Sequence, residues 1–327
     1  PRRAVRKGIR MKGEMKKVVM TGPTGSIGIA LIQQCIAQGI RVLAIVRPHS
    51  KRTDRIPRSP LVQVLACSLD TLCDLDEKAL ERAGIESFDY DVCYHFAWAA
   101  TIGSGRNDMK LQTANIGYAL DAVALAARLG CHTFVGAGSQ AEYGRWEEKL
   151  SEYTPTFPES GYGMAKLCAG AMTRLECSRL GMRHVWARIL SVYGPGDGEQ
   201  TMISTVIRKL LAGEIPALTA GIQQWDYLHC ADAAKAMYLL GEKGRDGSIY
   251  CVGSGNARPL REYIEILRDC INPALALDFG AVAYGPQQIM YLCADIEKLT
   301  RDTGFIPEVD FEDGIRETIG WMRTQEL

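Results

Sequence analysis

The chain has 327 residues, 47% of them hydrophobic and 23% charged, and its 38 Lys and Arg are matched by 38 Asp and Glu. That balance describes a globular protein able to bury a sizeable core in one large or two closely joined domains, and it excludes disordered, fibrous and collagen-like chains. Zero net charge argues against wholesale attraction to nucleic acid or anionic membrane, and no run of 18 apolar residues or signal sequence is apparent, so the expectation is a cytoplasmic protein with no nucleic-acid and no membrane partner.

Residues 1–14 form a basic N-terminal extension with little periodicity and are set apart from the functional argument. From Met15 onward, short β-rich runs alternate with helical patterns. Strands are expected over 17–21, 41–46, 61–66, 91–97, 132–138 and 184–189, with helices over 26–38, 108–129 and 160–181. This alternation predicts an α/β fold, a doubly wound parallel sheet whose apolar strands are buried on both faces. Beyond Ile189 the pattern changes to the loop SVYGPGDGEQ, a helix near 201–212, a return strand over 248–252 and helices near 259–271, 294–303 and 311–323. The expected division is a dinucleotide-binding domain of residues 15–190 plus about 219–252, with a smaller interleaved α/β substrate-binding cap of 191–218 plus 253–327. No internal repeat is visible.

Eleven cysteines, none in a C-x-x-C pair, are scattered through stretches such as VLACSL and DVCYHF, where a reduced thiol serves as a small hydrophobe. The five histidines show no ligand spacing, and no metal site is expected.

The run KVVMT–GPTGSIG places Gly22, Gly25 and Gly28 at a strand-to-helix turn. Gly22 suits the tight turn, Gly25 a close approach of backbone N–H groups to a pyrophosphate, and Gly28 close packing of helix on sheet. At the end of the second strand, where a carboxylate would accept a bond from the adenosine ribose of NAD, the chain has Arg47, followed by His49, Ser50, Lys51 and Arg52. A guanidinium there binds a 2′-phosphate, so NADP(H) is the preferred cofactor and NAD(H) a possible one; the alternative is a solvated basic loop with no discrimination.

Tyr162 and Lys166 lie four residues apart and so on one helical face, where an ammonium can favour the ionised phenol. Lys166 can also hold the nicotinamide ribose. Ser139, ending the strand HTFVGAG, would hydrogen-bond the same substrate oxygen. These three residues are the candidate catalytic set.

Together with HFAWAA (95–100), Asn115 in TANIGYA, ARILSVYGPGD, WDYLHCADAA (225–234) and YCVGSG (250–255), these motifs resemble extended short-chain dehydrogenases/reductases of the NAD-dependent epimerase/dehydratase family, from Met15 almost to the end. The resemblance implies a Rossmann fold. It also implies cofactor contacts at Gly22, Thr24, Gly25, Ser26, Ile27, Gly28, Arg47, Ser68, Leu69, Ala97, Trp98, Ala99, Asn115, Tyr162, Lys166, Ile189, Leu190 and Val192. A nucleotide-diphosphate sugar is the implied substrate, met by Ser139, Gln140, Ser191, Gln223 and Trp225. Two departures matter. The Asp-Glu pair that follows the matching Ser in the family's dehydratases is Gln140 and Ala141 here, which disfavours dehydration. The Arg that commonly binds the substrate diphosphate is Trp225, leaving Arg188, Arg258 or Arg261 to supply charge, or Trp225 simply to pack beside Tyr227.

GSQAEYG also resembles the matching stretch of 4-keto-6-deoxy sugar reductases. The expected activity is therefore NADP(H)-dependent reduction of a nucleotide-linked 4-keto-6-deoxyhexose, with a 4-epimerase or a non-catalytic NADP-sensing module as alternatives. The apolar width of helices 108–129 and 160–181, with the family resemblance, implies a homodimer through a four-helix bundle.

Overall fold

The structure is a computed structural model that describes residues 15–85 and 87–325; the basic extension 1–14 lies outside the described residues. In chain order the elements are β1 (Lys17–Thr21), α1 (Ser26–Ala37), β2 (Arg41–Val46), β3 (Val62–Ala66), α2 (Glu77–Arg82), β4 (Val92–His95), α3 (Met109–Arg128), β5 (Thr133–Ser139), α4 (Gly161–Leu180) and β6 (Arg183–Ile189). There follow β7 (Ser191–Tyr193), α5 (Met202–Leu211), β8 (Ala217–Leu218), β9 (Gln224–Trp225), β10 (Tyr227–His229), α6 (Cys230–Lys243) and β11 (Ser248–Val252). The chain closes with β12 (Arg258–Pro259), α7 (Leu260–Ile271), β13 (Asp278–Phe279), β14 (Tyr291–Leu292), α8 (Glu297–Thr303) and α9 (Phe311–Gln325).

Seven strands form one parallel sheet in the order β3-β2-β1-β4-β5-β6-β11. Strand order reverses between β1 and β4, which opens a crevice beyond their carboxyl ends, the position where such sheets take ligands. Period-two alternation divides the sheet's side chains between two cores. Val18, Met20, Val42 and Ala44 pack toward α1 and α6, while Val19, Leu43 and Ile45 pack with Val123 and Leu125 of α3. A third core of Ile203, Val206, Tyr263, Ile264, Phe311 and Ile315 joins the amphipathic helices α5, α7 and α9.

Helix ends follow their caps. The Asp108 side chain accepts from Lys110 and Leu111 N–H at the start of α3, the Ser160 side chain accepts from Gly163 N–H at the start of α4, and Gly181 ends α4 at φ 71°.

Two expectations need correction. The strand over 61–66 is an edge strand with Gln63, Val64 and Ala66 exposed, because among the described residues nothing pairs with its far side. The helix expected over 294–303 begins only at Glu297; Tyr291 and Leu292 pair with β9 and Asp295 caps the Glu297 N–H, which holds the preceding residues extended. Helix α6 forms where the sequence shows no clear helical period, its alanines muting the apolar pattern.

Candidate active site

Gly22 turns the chain at φ 64°, and a Cβ there would lie 2.6 Å from the Ala97 Cα, so the turn after β1 and the loop after β4 touch backbone to backbone. At Gly28 a Cβ would come within 2.5 Å of the Pro23 carbonyl, which accounts for the close fit of α1 against its own turn. Gly25 differs: a Cβ there would meet nothing within 4 Å. It is the N-cap of α1, no side chain caps the helix, and no acidic residue lies in its first turn. Thr24, Gly25, Ser26 and Ile27 thus surround open space in front of uncompensated N–H groups, a cradle that suits a dinucleotide pyrophosphate.

Arg47 is exposed directly after β2, in a turn that places His49 at φ 57° and Ser50 N–H on the Arg47 carbonyl. Among the described residues no acidic side chain stands between Arg47 and Arg52, so the end of β2 is basic. Ser68 and Leu69 follow β3 at the same edge, where Leu69 opens a 3₁₀ turn over Leu69–Asp74.

Ser139, Tyr162 and Lys166 converge. The Ser139 N–H donates to Glu142 Oε1 at 2.8 Å and its Oγ accepts from Ala141 N–H at 3.2 Å, a capping box that fixes the serine beside the phenol. The start of α4 abuts this turn so closely that a Cβ on Gly163 would collide with the Ala141 carbonyl. Burial raises the Tyr162 phenol above its ordinary value; the bond from Ser139 and the charge of Arg106 pull it back down, and Glu142 pushes it up.

Lys166 departs from expectation. Its Nζ donates to the Ala137 carbonyl at 2.6 Å, sits 3.8 Å over the Trp98 ring and lies 5.8 Å from the centre of the Tyr162 ring. Burial pushes its ammonium down to about 7 against the opposing pull of Glu142. The cation stacked on the phenol is Arg106, 4.4 Å from the ring centre.

The loop after β4, bearing Ala97, Trp98 and Ala99, is held by α3. Asn115 accepts from Ala99 N–H at 2.9 Å and donates to the Ala99 carbonyl at 3.0 Å; Gln112 accepts from Trp98 Nε1 and donates to the Ala100 and Gly105 carbonyls. Asn115 thus pins the backbone of the loop after β4. The Leu190 side chain packs into a core with Tyr143, Leu150 and Cys251, while Ile189 at the end of β6 and Val192 in the middle of β7 stay half-buried.

On the substrate side, Gln140 Oε1 is a buried acceptor without a donor among the described residues, as a site for a ligand hydroxyl requires. Trp225 Nε1 donates to Ser191 Oγ at 2.8 Å, and the half-buried indole packs between two cores. Gln223 is buried and accepts from Tyr284 Oη at 2.8 Å, which turns its carbonyl oxygen into the C-terminal region. Arg188 cannot serve a substrate phosphate: it is buried, its Nε meets Glu142 Oε2 at 2.7 Å, and its guanidinium lies over the Tyr143 ring. Arg261 stacks on Phe279. Arg258 stands opposite Trp225 in the antiparallel β9–β12 pair and is exposed.

Four residues at the site carried no sequence signal of their own. Arg106 and Gln112 lie in no motif, and Glu142 is one residue past the family's acidic pair. Arg55 falls just beyond the basic run; it donates to the Gly196 carbonyl at 3.3 Å, where the loop 194–198 lies against Ser26 at the start of α1.

Known proteins extend the picture. A curated dTDP-glucose 4,6-dehydratase from Actinoplanes sp. is 31% identical over 175 residues, 53% of this chain and 54% of its own length, so the match spans about half of that relative. Among solved structures, a UDP-N-acetylglucosamine 4-epimerase from Methanobrevibacter ruminantium superposes with a TM-score of 0.83 at 23% identity, covering 96% of this chain and 100% of its own. A dTDP-glucose 4,6-dehydratase from Streptomyces venezuelae with NAD bound superposes with a TM-score of 0.80 at 21% identity, covering 95% and 98%. These structural likenesses carry the fold. The NAD dependent epimerase/dehydratase family matches residues 18–253, and the chain belongs to that family.

Proposed function

We propose that this protein is an NADP(H)-dependent reductase of a nucleotide-diphosphate-linked 4-keto-6-deoxy sugar, with NAD(H) as a weaker alternative cofactor. The observation that carries the reading is the absence of a usable carboxylate beside Ser139. Positions 140 and 141 are Gln and Ala, and Glu142 spends its oxygens on Ser139 N–H, Trp186 Nε1 and Arg188 Nε. When bound, the nicotinamide supplies the hydride. Tyr162 gives its proton to the carbonyl oxygen as charge grows there, Ser139 donates a second hydrogen bond to that oxygen, and Lys166 holds the nicotinamide ribose. Gln140 Oε1 accepts from a sugar hydroxyl, and Arg258, across the strand pair from Trp225, supplies the charge that a diphosphate needs. Arg47 at the basic end of β2 takes the 2′-phosphate.

The test is a panel of nucleotide-diphosphate 4-keto-6-deoxy sugars with NADPH consumption as readout. Turnover that falls about 10²- to 10⁴-fold in Tyr162→Phe supports the assignment. Conversion of a 4-hydroxy sugar nucleotide to its C4 epimer without net cofactor consumption would replace it with the epimerase reading. Binding of NADPH without turnover of any sugar would leave a sensing module.

We further propose a homodimer. Met164, Met172 and Leu175 form an exposed apolar stripe along α4, continued by half-buried Cys168, and α4 packs beside α3, whose Met109 is exposed on the same side of the sheet. Leu175→Glu should halve the mass in solution, and a strictly monomeric parent protein at micromolar concentration refutes the dimer.

A further inference from the structure

We propose that Arg106 is a positioning residue that favours ionisation of Tyr162, alongside Lys166. The inference rests on Tyr162 being the proton donor of the proposed reaction, yet its evidence is geometric. The guanidinium lies 4.4 Å from the phenol ring centre and is fixed there by a 2.8 Å bond from its Nη1 to the Thr101 carbonyl. The 3₁₀ turn that carries it, Ser104–Asn107, is fastened at both ends. Gln112 Nε2 donates to the Gly105 carbonyl at 2.9 Å, and Asn107 Oδ1 accepts from Gly161 N–H at 2.9 Å. Gly161 is the first residue of α4 and Tyr162 the second, so the turn holding the cation and the helix holding the phenol are joined by a direct hydrogen bond.

The other charged groups that act on this phenol are accounted for. Lys166, one helical turn on, is drawn to the Ala137 carbonyl and the Trp98 face, and burial brings its own titration to about 7. Glu142 opposes ionisation of the phenol, and its charge is matched by Arg188. Arg106 thus places a guanidinium on the ring, while Lys166 bonds the Ala137 carbonyl one helical turn on. A fixed cation beside the ring stabilises phenolate relative to phenol.

The direct experiment follows the tyrosinate ultraviolet band of the full chain against pH, subtracting the Tyr162→Phe protein so that only this phenol is read. Arg106→Gln, which keeps a donor for the Thr101 carbonyl, should move the Tyr162 transition upward by about one pH unit, and Arg106→Lys should restore most of it. An unmoved transition in Arg106→Gln overturns the proposal, as does a transition in Arg106→Lys displaced as far as in Arg106→Gln, since that would show a packing effect. Because this titration needs no substrate, it stands apart from the reductase reading. Where turnover is measurable, the limb of the kcat/KM profile governed by Tyr162 should move with the optical transition; a profile that stays put while the optical transition moves would mean that Tyr162 is not the proton donor.

Discussion

Gly25 gives the most discriminating test of the cofactor cradle, because structure separates its two costs. Its backbone sits at φ −86° and ψ 172°, an ordinary extended conformation, and a Cβ would touch nothing within 4 Å. Gly25→Ala should therefore fold as well as the parent: the unfolded chain loses about 0.4–1 kcal/mol of entropy advantage, offset by about 0.5 kcal/mol for a poorer N-cap. The methyl group nonetheless fills the space in front of the α1 N–H groups. A phosphate pushed back by about 1 Å loses at least one charge-assisted hydrogen bond, about 2 kcal/mol or close to thirtyfold in affinity. Thermal unfolding without cofactor, paired with an NADPH titration by nicotinamide fluorescence, reads both quantities. Gly28→Ala is the contrast: its Cβ would come 2.5 Å from the Pro23 backbone, which cannot step aside, so it should lose about 1–3 kcal/mol of stability before any cofactor is added. Parent-like NADPH affinity in Gly25→Ala would refute the placement of the pyrophosphate at this turn.

Three further outcomes are expected. Arg47→Asp should weaken NADPH by more than about tenfold while leaving NADH unchanged or tighter, measured by parallel titrations; equal affinities in the parent protein would reduce the basic loop to solvated surface. Glu142→Ala strands buried Arg188 and should cost about 3–5 kcal/mol in urea unfolding, much of it recovered when Arg188→Met is added. Lys166→Met should change stability in a pH-dependent way. Below about pH 7 the lysine is charged in both states and the folded protein bears the burial cost; between about 7 and its ordinary 10.5 the unfolded chain binds more protons, so the parent gains stability as pH rises. The advantage of Lys166→Met should hence be greatest on the acid side and fade toward pH 10, and a pH-independent difference would contradict the burial of a charged lysine.

The framework was legible in the sequence wherever a residue's role is local. Asp108, Ser160 and Thr201 announce helix starts because their side chains bond N–H groups two or three residues on. Gly22 and Gly28 announce a turn because backbone crowding at that turn leaves no room for a Cβ. What escaped depends on distant partners. Nothing near Arg106 in the chain says that it will stack on a ring 56 residues later, and nothing near Glu142 says that Trp186 and Arg188 will consume its oxygens. The helical spacing of Tyr162 and Lys166 did place both groups on one side of α4, but the lysine's final direction was set by the Ala137 carbonyl and Trp98, which belong to β5 and to the loop after β4. Sheet-edge exposure of β3 has the same cause, since the absence of a neighbour is a property of topology and leaves no trace in an apolar run.

Two fully buried carboxylates deserve comparison, because their surroundings bear on what chemistry the site supports. Asp226 accepts from Ser254 N–H, Ser254 Oγ, Gly255 N–H and Ala294 N–H, and so ties the loop between β9 and β10 to the residues after β11 and β14. Glu142 accepts from Ser139 N–H, Trp186 Nε1 and Arg188 Nε. A general acid or base must keep a lone pair free and must tolerate changing its charge in every turnover. Glu142 has its oxygens committed to Ser139, Trp186 and Arg188, and Asp226 has its oxygens committed to four donors. Both therefore hold backbone in place, Glu142 directly beneath Ser139. The proton traffic in the proposed reaction is left to groups that retain free hydrogen-bonding capacity, Tyr162 and Ser139, with the Arg106 guanidinium over the Tyr162 ring and the Lys166 ammonium one helical turn on.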